Sequence, residues 1–498
     1  MASSSTTTKS QYHHFVPRFI LRNFAHPFQP SSDPVKGSPK RNRRKRKSGY
    51  YPGDAMLNTI NLAGTTAEVI ETPVSKTLGM TDMYRDSADA TNQYHLEEKL
   101  SKLESHAGRI ISTIRKAFEA GDQDVWITRS DRDTLRKFLF IMKYRGSHAH
   151  KRFYHQDPES YSSSDKERLL DYMHRKGFQK PIDVWFDNIN AMLELKMDPA
   201  MEWMEWLMEH AYPDDAKWFI ARSQMMYLAL CTPSGQNDEF LLTENLYSVY
   251  EGPGSLSRDP DTNETVLRAY TELHTFSVVS PKLMMVLRSF ILPVPEEDAD
   301  KEMKAWREEM YQLNAIQHDD PMNANSIIKD LPITKARNSY TMIVDGRIVL
   351  RDGKDGQYRS HHRFCFRFFP ISTEYTNTIN SIMLEESYSI ATAVFKTRLA
   401  TCKALEHYLS MPCEVDGRYF KLVADKPDDP RLMFLQKLEQ VVKQLGSNAT
   451  AIYHVLPNSN FETWGQKLAQ ALPKEPTGTM RLYMKLGYSY TLTKGYLR

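Results

Sequence analysis

A chain of 498 residues with 41% hydrophobic, 11% aromatic and 26% charged side chains is long enough for two or three domains and has a globular composition. Its formal net charge is only +3, yet Lys40, Arg41, Arg43, Arg44, Lys45, Arg46 and Lys47 place seven positive charges in eight residues; the remainder carries a net −4, so a broad nucleic-acid-binding face is not expected. No apolar run reaches the roughly 20 residues of a membrane helix, because Val278 to Val294 is broken by Pro281, Lys282, Arg288 and Pro293, and no membrane partner is expected.

Residues 1–10 read as a disordered, Ser/Thr-rich N-terminus without a hydrophobic signal core, so secretion is not expected. Pro17 starts a helix anchored by Phe19, Ile20 and Phe24. A Pro, Ser and Gly-rich stretch, about 28–53, holds the basic run; it buries no apolar surface and repels itself, which predicts a disordered insertion. Met56 to Val74 reads as one or two short strands. From Gln93 to Ala120, Leu96, Leu100, Leu103, Ala107, Ile110, Ile114 and Ala117 recur at helical spacing, and Gly121 stops them. A second helix begins near Ser130, with Asp131 and Asp133 in its first turn, and runs to Arg145-Gly146. Helices follow over 181–196 and 200–211, and another over 216–231.

Strands are predicted over 240–250 and 274–279, the second extended by 282–287, before a helix ending near Gln317. Asp345-Gly346 suits a type I′ turn between strands 340–344 and 347–350, and Arg363 to Phe369 reads as a third strand. Helices are expected over 377–409, 430–446 and 461–472. The expected fold is α+β and mostly helical, with short strands near the N-terminus, mid-chain and around 340–369. The expected organisation is a core over 11–335 followed by a C-terminal hairpin and helical region over 336–498. Cys231, Cys365, Cys402 and Cys413 form no Cys-x-x-Cys pair, so neither a zinc knuckle nor a disulfide framework is indicated.

Residues 11 to 25 carry His14, Pro17, Leu21 and Phe24 in a frame that resembles the opening motif of the family known as domain of unknown function 4238. Further blocks resemble that family in the same order. Asp82-Met83-Tyr84 precedes a helix bearing Glu97 and Glu104, and a helix from Phe138 closes on Arg145. A strand ends in Glu244-Asn245, where the family pattern has Asp-Asn-Pro, and Ser280-Pro281-Lys282 closes the series. The resemblance implies an architecture without an agreed activity. Its polar residues, Asp82, Tyr84, Arg145, Glu244, Asn245, Ser280 and Lys282, are candidate site residues.

His13 and His14 are the candidate catalytic pair. Adjacent side chains on a strand point to opposite faces, so only one of them can serve a given metal or act as a base. A His-Asn-His nuclease also opens with a histidine before an apolar-x-Pro segment, but draws a second ligand from a following helix, and here that position falls in the basic insertion. The alternative for both histidines is backbone hydrogen bonding near Asp82 or Glu244. His148, His150 and His155, and likewise His361-His362, read as loop histidines rather than metal ligands. Arg363, Cys365, Arg367 and Phe369 alternate with Phe364, Phe366 and Phe368, a pattern of a half-buried strand before it is one of base stacking. No phosphate-binding glycine loop, zincin motif or nucleophile elbow is present.

Two functions follow as expectations. The first is a nuclear or intracellular interaction protein, with residues 40–47 bound by an import receptor and nucleic acid as a further partner. The second is a metal-dependent hydrolase acting on nucleic acid, with a divalent metal on the scissile phosphate and His14 activating water. Neither the cofactor nor the oligomeric state is fixed by these residues.

Overall fold

The computed structural model describes residues 10–29, 50–86, 92–161, 163, 165–245, 249–258, 265–316, 318 and 321–456. The chain opens with strand β1 (Tyr12–His14), helix α1 (Arg18–Phe24), and strands β2 (His26–Pro27), β3 (Ala55–Asn61), β4 (Glu68–Pro73) and β5 (Gly79–Thr81). A helical stretch follows, with one strand inside it: α2 (His95–Glu119), β6 (Asp124–Thr128), α3 (Arg129–Tyr144), α4 (Ser147–Phe153), α5 (Lys166–Lys176), α6 (Pro181–Glu194), α7 (Trp203–His210) and α8 (Pro213–Met225). The middle of the chain is β7 (Met226–Pro233), β8 (Leu242–Thr243), β9 (Val249–Glu251), β10 (Gly254–Arg258), β11 (Thr265–Tyr270), β12 (His274–Ser280) and β13 (Leu283–Ser289). After α9 (Lys301–Ala315) come β14 (Arg337–Asn338), β15 (Thr341–Val344), β16 (Arg347–Leu350), β17 (Arg363–Ile371), α10 (Thr373–Glu385), β18 (Thr392–Phe395), α11 (Arg398–Ser410) and α12 (Pro430–Leu445).

Local chemistry explains the clearest elements. In α2, Leu96, Leu100, Ala107, Ile110, Ile111 and Ile114 form the buried stripe, and Gly121 at φ +85° follows its end. Thr128 caps α3: its hydroxyl accepts from the Asp131 N–H while the Asp131 carboxylate accepts from the Thr128 N–H, a reciprocal capping box. Asp345 and Gly346 take φ +49° and +81°, the left-handed pair that a type I′ turn between β15 and β16 requires. Asp429 caps α12 through the N–H groups of Arg431 and Leu432, and Gly446 closes it in the left-handed region.

Two sheets organise the fold. The larger has seven strands in the order β14-β17-β7-β13-β12-β9, with β6 also paired to β17. It is mixed: β17 runs parallel to β7, with Phe368 opposite Leu230, while β13 is antiparallel to β7, with Met285 opposite Leu230. All seven residues of β12 and of β13 are buried, so both faces of the sheet are covered. The smaller sheet, β2-β3-β18-β8 with β4 on β3, joins the N-terminus to residues far down the chain, Ala393 lying opposite both Ile60 and Thr243. One contiguous apolar core runs from Phe15 to Val442.

The expectation of a mostly helical chain is corrected by these sheets: about 41% of the described residues are helical and 21% are in strands. The physical reason is visible in Met226 to Cys231. Read as the end of a helix, this run is instead β7, a strand buried on both faces, which carries no polar alternation to distinguish it from a buried helix. The helix expected over 377–409 is likewise two helices, α10 and α11, with β18 between them. His148 and His150 lie in α4 rather than in a loop. The segment 282–287 does not lengthen the preceding strand but turns back as β13, antiparallel to β12. The helix expected over 461–472 lies outside the described residues.

Leu230 is fully buried where β13 and β17 meet β7. Leu230→Ala should therefore cost about 2–5 kcal/mol in urea unfolding, and a loss under about 1 kcal/mol would contradict this central position.

Candidate functional site

The family-like residues near the N-terminus converge. Strand β1 pairs with β5, with His13 opposite Met80 and His14 opposite Gly79. A Cβ at Gly79 would lie 2.5 Å from the His13 carbonyl oxygen and 2.6 Å from the Tyr12 ring, so the pair closes only on glycine. Alternation along β1 turns the two histidines apart. His13 is buried, and its Nδ1 accepts the Tyr84 N–H at 3.1 Å. Its ring stacks on Tyr84 and meets the edge of Tyr94. His14 directs Nδ1–H to the Thr77 carbonyl at 3.0 Å. Burial lowers the pKa of both, keeping them neutral at pH 7.

Asp82 latches this strand from the other side. It sits at φ +56°, a conformation that aspartate tolerates better than most residues. Its carboxylate accepts from the Gln11 N–H at 2.8 Å, the Ser10 hydroxyl at 2.9 Å and the Tyr94 hydroxyl at 3.2 Å. The Gln11 amide, with smaller contributions from those hydroxyls, holds the Asp82 pKa below its usual value.

Arg145, at the C-terminal end of α3, joins the blocks. Its guanidinium is buried and donates through Nε to the Tyr84 hydroxyl at 2.7 Å. Its remaining nitrogens bond the Glu104 carboxylate from α2 and the His14 carbonyl from β1. Burial opposes its charge, but Tyr84 and Glu104 outweigh that penalty and its pKa is raised. Burial pushes Tyr84 up to about 12. Tyr84 stacks in turn on Trp185, whose Nε1 donates to the Tyr144 carbonyl and whose ring meets the edge of His150. Glu97 lies seven residues before Glu104 on α2; burial raises its pKa, with Arg145 partly offsetting the effect. Glu97 Oε2 and His13 Nε2 are buried without a hydrogen-bond partner among the described residues.

The other family-like residues hold loops instead of joining this cluster. The Glu244 carboxylate accepts the Ala391 N–H at 2.9 Å, and Asn245 donates to the Glu386 carbonyl. The Lys282 ammonium donates to the carbonyls of Gln236 and Asp238 at 2.7 and 2.6 Å, and its N–H reaches the Ser280 hydroxyl at 3.3 Å. Glu244 lies near enough to Tyr12 to add to the rise that burial gives the phenol. His155 contacts the Ser160 hydroxyl, and His362 stacks on Tyr340. In β17, Phe364, Phe366, Phe368 and Phe369 are all buried while Arg363 and Arg367 face outward. Residues 40–47 lie outside the described residues. Among the described residues, no group of three or more His, Cys, Asp or Glu side chains is placed to hold a metal ion.

A second buried constellation carries no short motif in the sequence. Glu251 on β9 accepts from His274 Nδ1–H at 2.7 Å, from the Ser326 hydroxyl at 2.9 Å and from the Ile327 N–H at 2.9 Å. Arg288 donates to His274 Nε2 at 3.1 Å and to the Lys329 carbonyl at 2.6 Å, fixing the imidazole tautomer and seating residues 326–329 against the sheet. The available signal was Arg288 itself, a guanidinium inside an apolar strand that needs partners once buried.

Arg145→Met should cost about 3–5 kcal/mol, because it leaves the Glu104 carboxylate, the Tyr84 hydroxyl and the His14 carbonyl without their shared donor. Tyr84→Phe should cost about 1–3 kcal/mol; equal stability of both variants with the parent in urea unfolding would show that the cluster bears no load. Burial lowers the His150 pKa to about 4. The unfolded chain, with a histidine pKa near 6.5, then binds more protons than the folded one between about pH 4 and 6.5. His150 thus contributes stability above about pH 6.5 that is lost as pH falls, roughly 2 kcal/mol by pH 5. In His150→Phe this slope should flatten, as read from unfolding midpoints at pH 5, 6 and 7.

None of the described helices is long and apolar enough to cross a membrane. No curated protein and no solved structure matches the chain. The sequence profile of a family described as "Protein of unknown function (DUF4238)" matches residues 12–398, a span that takes in β1, the Arg145 cluster and both sheets. This is well over half of the chain, and the chain belongs to that family.

Proposed function

We infer that this protein is a nuclear interaction protein, in which an import receptor reads Lys40 to Lys47 and the folded body serves partners. The observation that carries this reading is how the chain enters and leaves the basic insertion. Strands β2 and β3 pair antiparallel, with Pro27 opposite Ala55. Beyond them the Phe28 N–H donates to the Asp54 carbonyl at 2.8 Å, and the Gly53 N–H donates to the Phe28 carbonyl at 3.1 Å. The Phe28 and Tyr50 rings are in edge contact. The described residues on either side of the basic run, Phe28 and Gly53-Asp54, are therefore held against each other beside the sheet. A linear signal recognised by charge works from such a position.

The Arg145 cluster supports the same reading from the other side. Its guanidinium is committed to groups of the chain itself, and Nδ1 of each candidate histidine is engaged by the backbone. The hydrolase alternative asks His14 for a free base and a shared metal, and this donor set gives it no support.

A reporter fused to residues 36–50 should accumulate in the nucleus. The full chain with residues 31–48 replaced by a short Gly/Ser linker should keep its stability within about 1 kcal/mol and lose nuclear accumulation. A reporter that stays cytoplasmic, or a loop-deleted chain that still enters the nucleus, overturns the assignment. Binding of the parent chain to mixed-sequence DNA, lost in the linker variant and weakening steeply with salt, would move the run from import to phosphate contact.

A further inference from the structure

A small cleft lies where α3 and α8 cross the face of β12 and β13, far in sequence from the motif residues. Its polar lining is Arg136 from α3, Arg222 and Ser223 from α8, and Thr275 and Ser277 from β12, with apolar walls around them. Thr275 and Ser277 are two apart on a strand and share one face, opposite to that of His274 and its Glu251 partner. The free volume is about 20 Å³, room for one water-sized group.

The polar part of the lining is incompletely paired. Thr275 is 1% exposed, and its hydroxyl has no partner among the described residues. The Arg136 Nε is buried and also without a partner among the described residues; its Nη2 donates to the Met226 carbonyl at 3.3 Å. The neighbouring charges offset the Arg136 charge only in part. Arg222 is already committed to Glu272, bonded through Nε at 2.8 Å, while lying over the Trp218 ring. Asp133, the carboxylate nearest in sequence, is paired with Arg132 at 2.9 Å. Burial lowers the Arg136 pKa to about 9; Arg132 and Arg129 add to the effect and Asp133 partly offsets it.

A cation whose Nε is buried and whose nearest carboxylate is already paired is poorly compensated. A water in the cleft would accept from Nε but leave the charge standing. An anion satisfies both the charge and the two orphaned donors with charge-assisted hydrogen bonds. We propose that the cleft is an anion site, in which a halide ion or one oxygen of a phosphate group sits between the Arg136 guanidinium and the hydroxyls of Thr275 and Ser277. Its volume limits the occupant to a single atom of that size, so a larger ligand enters by one oxygen only.

The test uses the full chain in sodium gluconate, a weakly binding reference anion, exchanged at constant ionic strength for sodium chloride or sodium phosphate. The parent protein should melt several degrees higher in at least one of these salts, and ³⁵Cl resonance broadening should report chloride exchange if the occupant is a halide. Arg136→Met should abolish the salt-specific shift and the broadening. Thr275→Val keeps the side-chain shape and should weaken binding about tenfold through the loss of one hydrogen bond. A response to chloride alone identifies a halide site, and a response to phosphate identifies an oxyanion site. If the parent melts identically in all three salts and broadens chloride no more than Arg136→Met does, the cleft holds water only and the proposal fails.

Discussion

The Arg145 guanidinium is where a strand, a turn and two helices agree on their positions. Its planar fork matches three acceptors from separate parts of the chain: the His14 carbonyl in β1, the Tyr84 hydroxyl after β5 and the Glu104 carboxylate in α2. An ammonium on a flexible stem lacks that fixed geometry. Because the charge is buried, each acceptor is needed to offset its desolvation, and displacement of one would be felt by the others. Tyr84 then extends the arrangement through Trp185 to His150 and the C-terminal end of α3. Asp82 does the same toward the start of the chain, closing the turn with its backbone and holding Ser10 and Gln11 with its carboxylate.

Much of the chemistry in this region was legible from the chain because it lies in short, ordered blocks. His14, Asp82, Tyr84, Glu104 and Arg145 each stand out locally, as a histidine before an apolar-Pro frame, an acidic-aromatic turn, or a charge at a helix end. Their convergence was not legible, since it depends on how β1 docks beside β5 and how α2 crosses α3. Helix α2 was visible in its leucine and isoleucine spacing, and the β15–β16 turn in Asp345-Gly346, because both are set by neighbours in sequence. Strand β7 was not. Once both faces of a strand are covered, selection for alternating polarity disappears, and Met226 to Cys231 offers the same apolar run that a buried helix would. Strand β18 was hidden for a related reason: four residues between two helices carry too little pattern to interrupt them.

The polar interior is divided into separate pieces on different surfaces of one core. The Arg145 cluster lies at the N-terminal strand, the Glu251–His274–Arg288 set on one face of β12, and the Arg136 cleft on the other. The first two satisfy most of their donors and acceptors within the chain, which is the condition for a buried polar group to hold structure together rather than loosen it. The third does not, and this difference separates a scaffold from a receptive site.

The parallel contact between β7 and β17 also bears on how the molecule comes into being. Leu230 and Phe368 lie side by side in the finished sheet, yet a ribosome delivers them far apart in time. Until the later strand emerges, β7 presents an unsatisfied backbone edge and an apolar surface while much of the surrounding polypeptide is already made. Parallel pairing across so long a separation is intrinsically slow and exposes such edges to other chains. The nascent protein therefore passes through an interval in which the β7 edge is open to pairing with other chains before its own partner strand arrives.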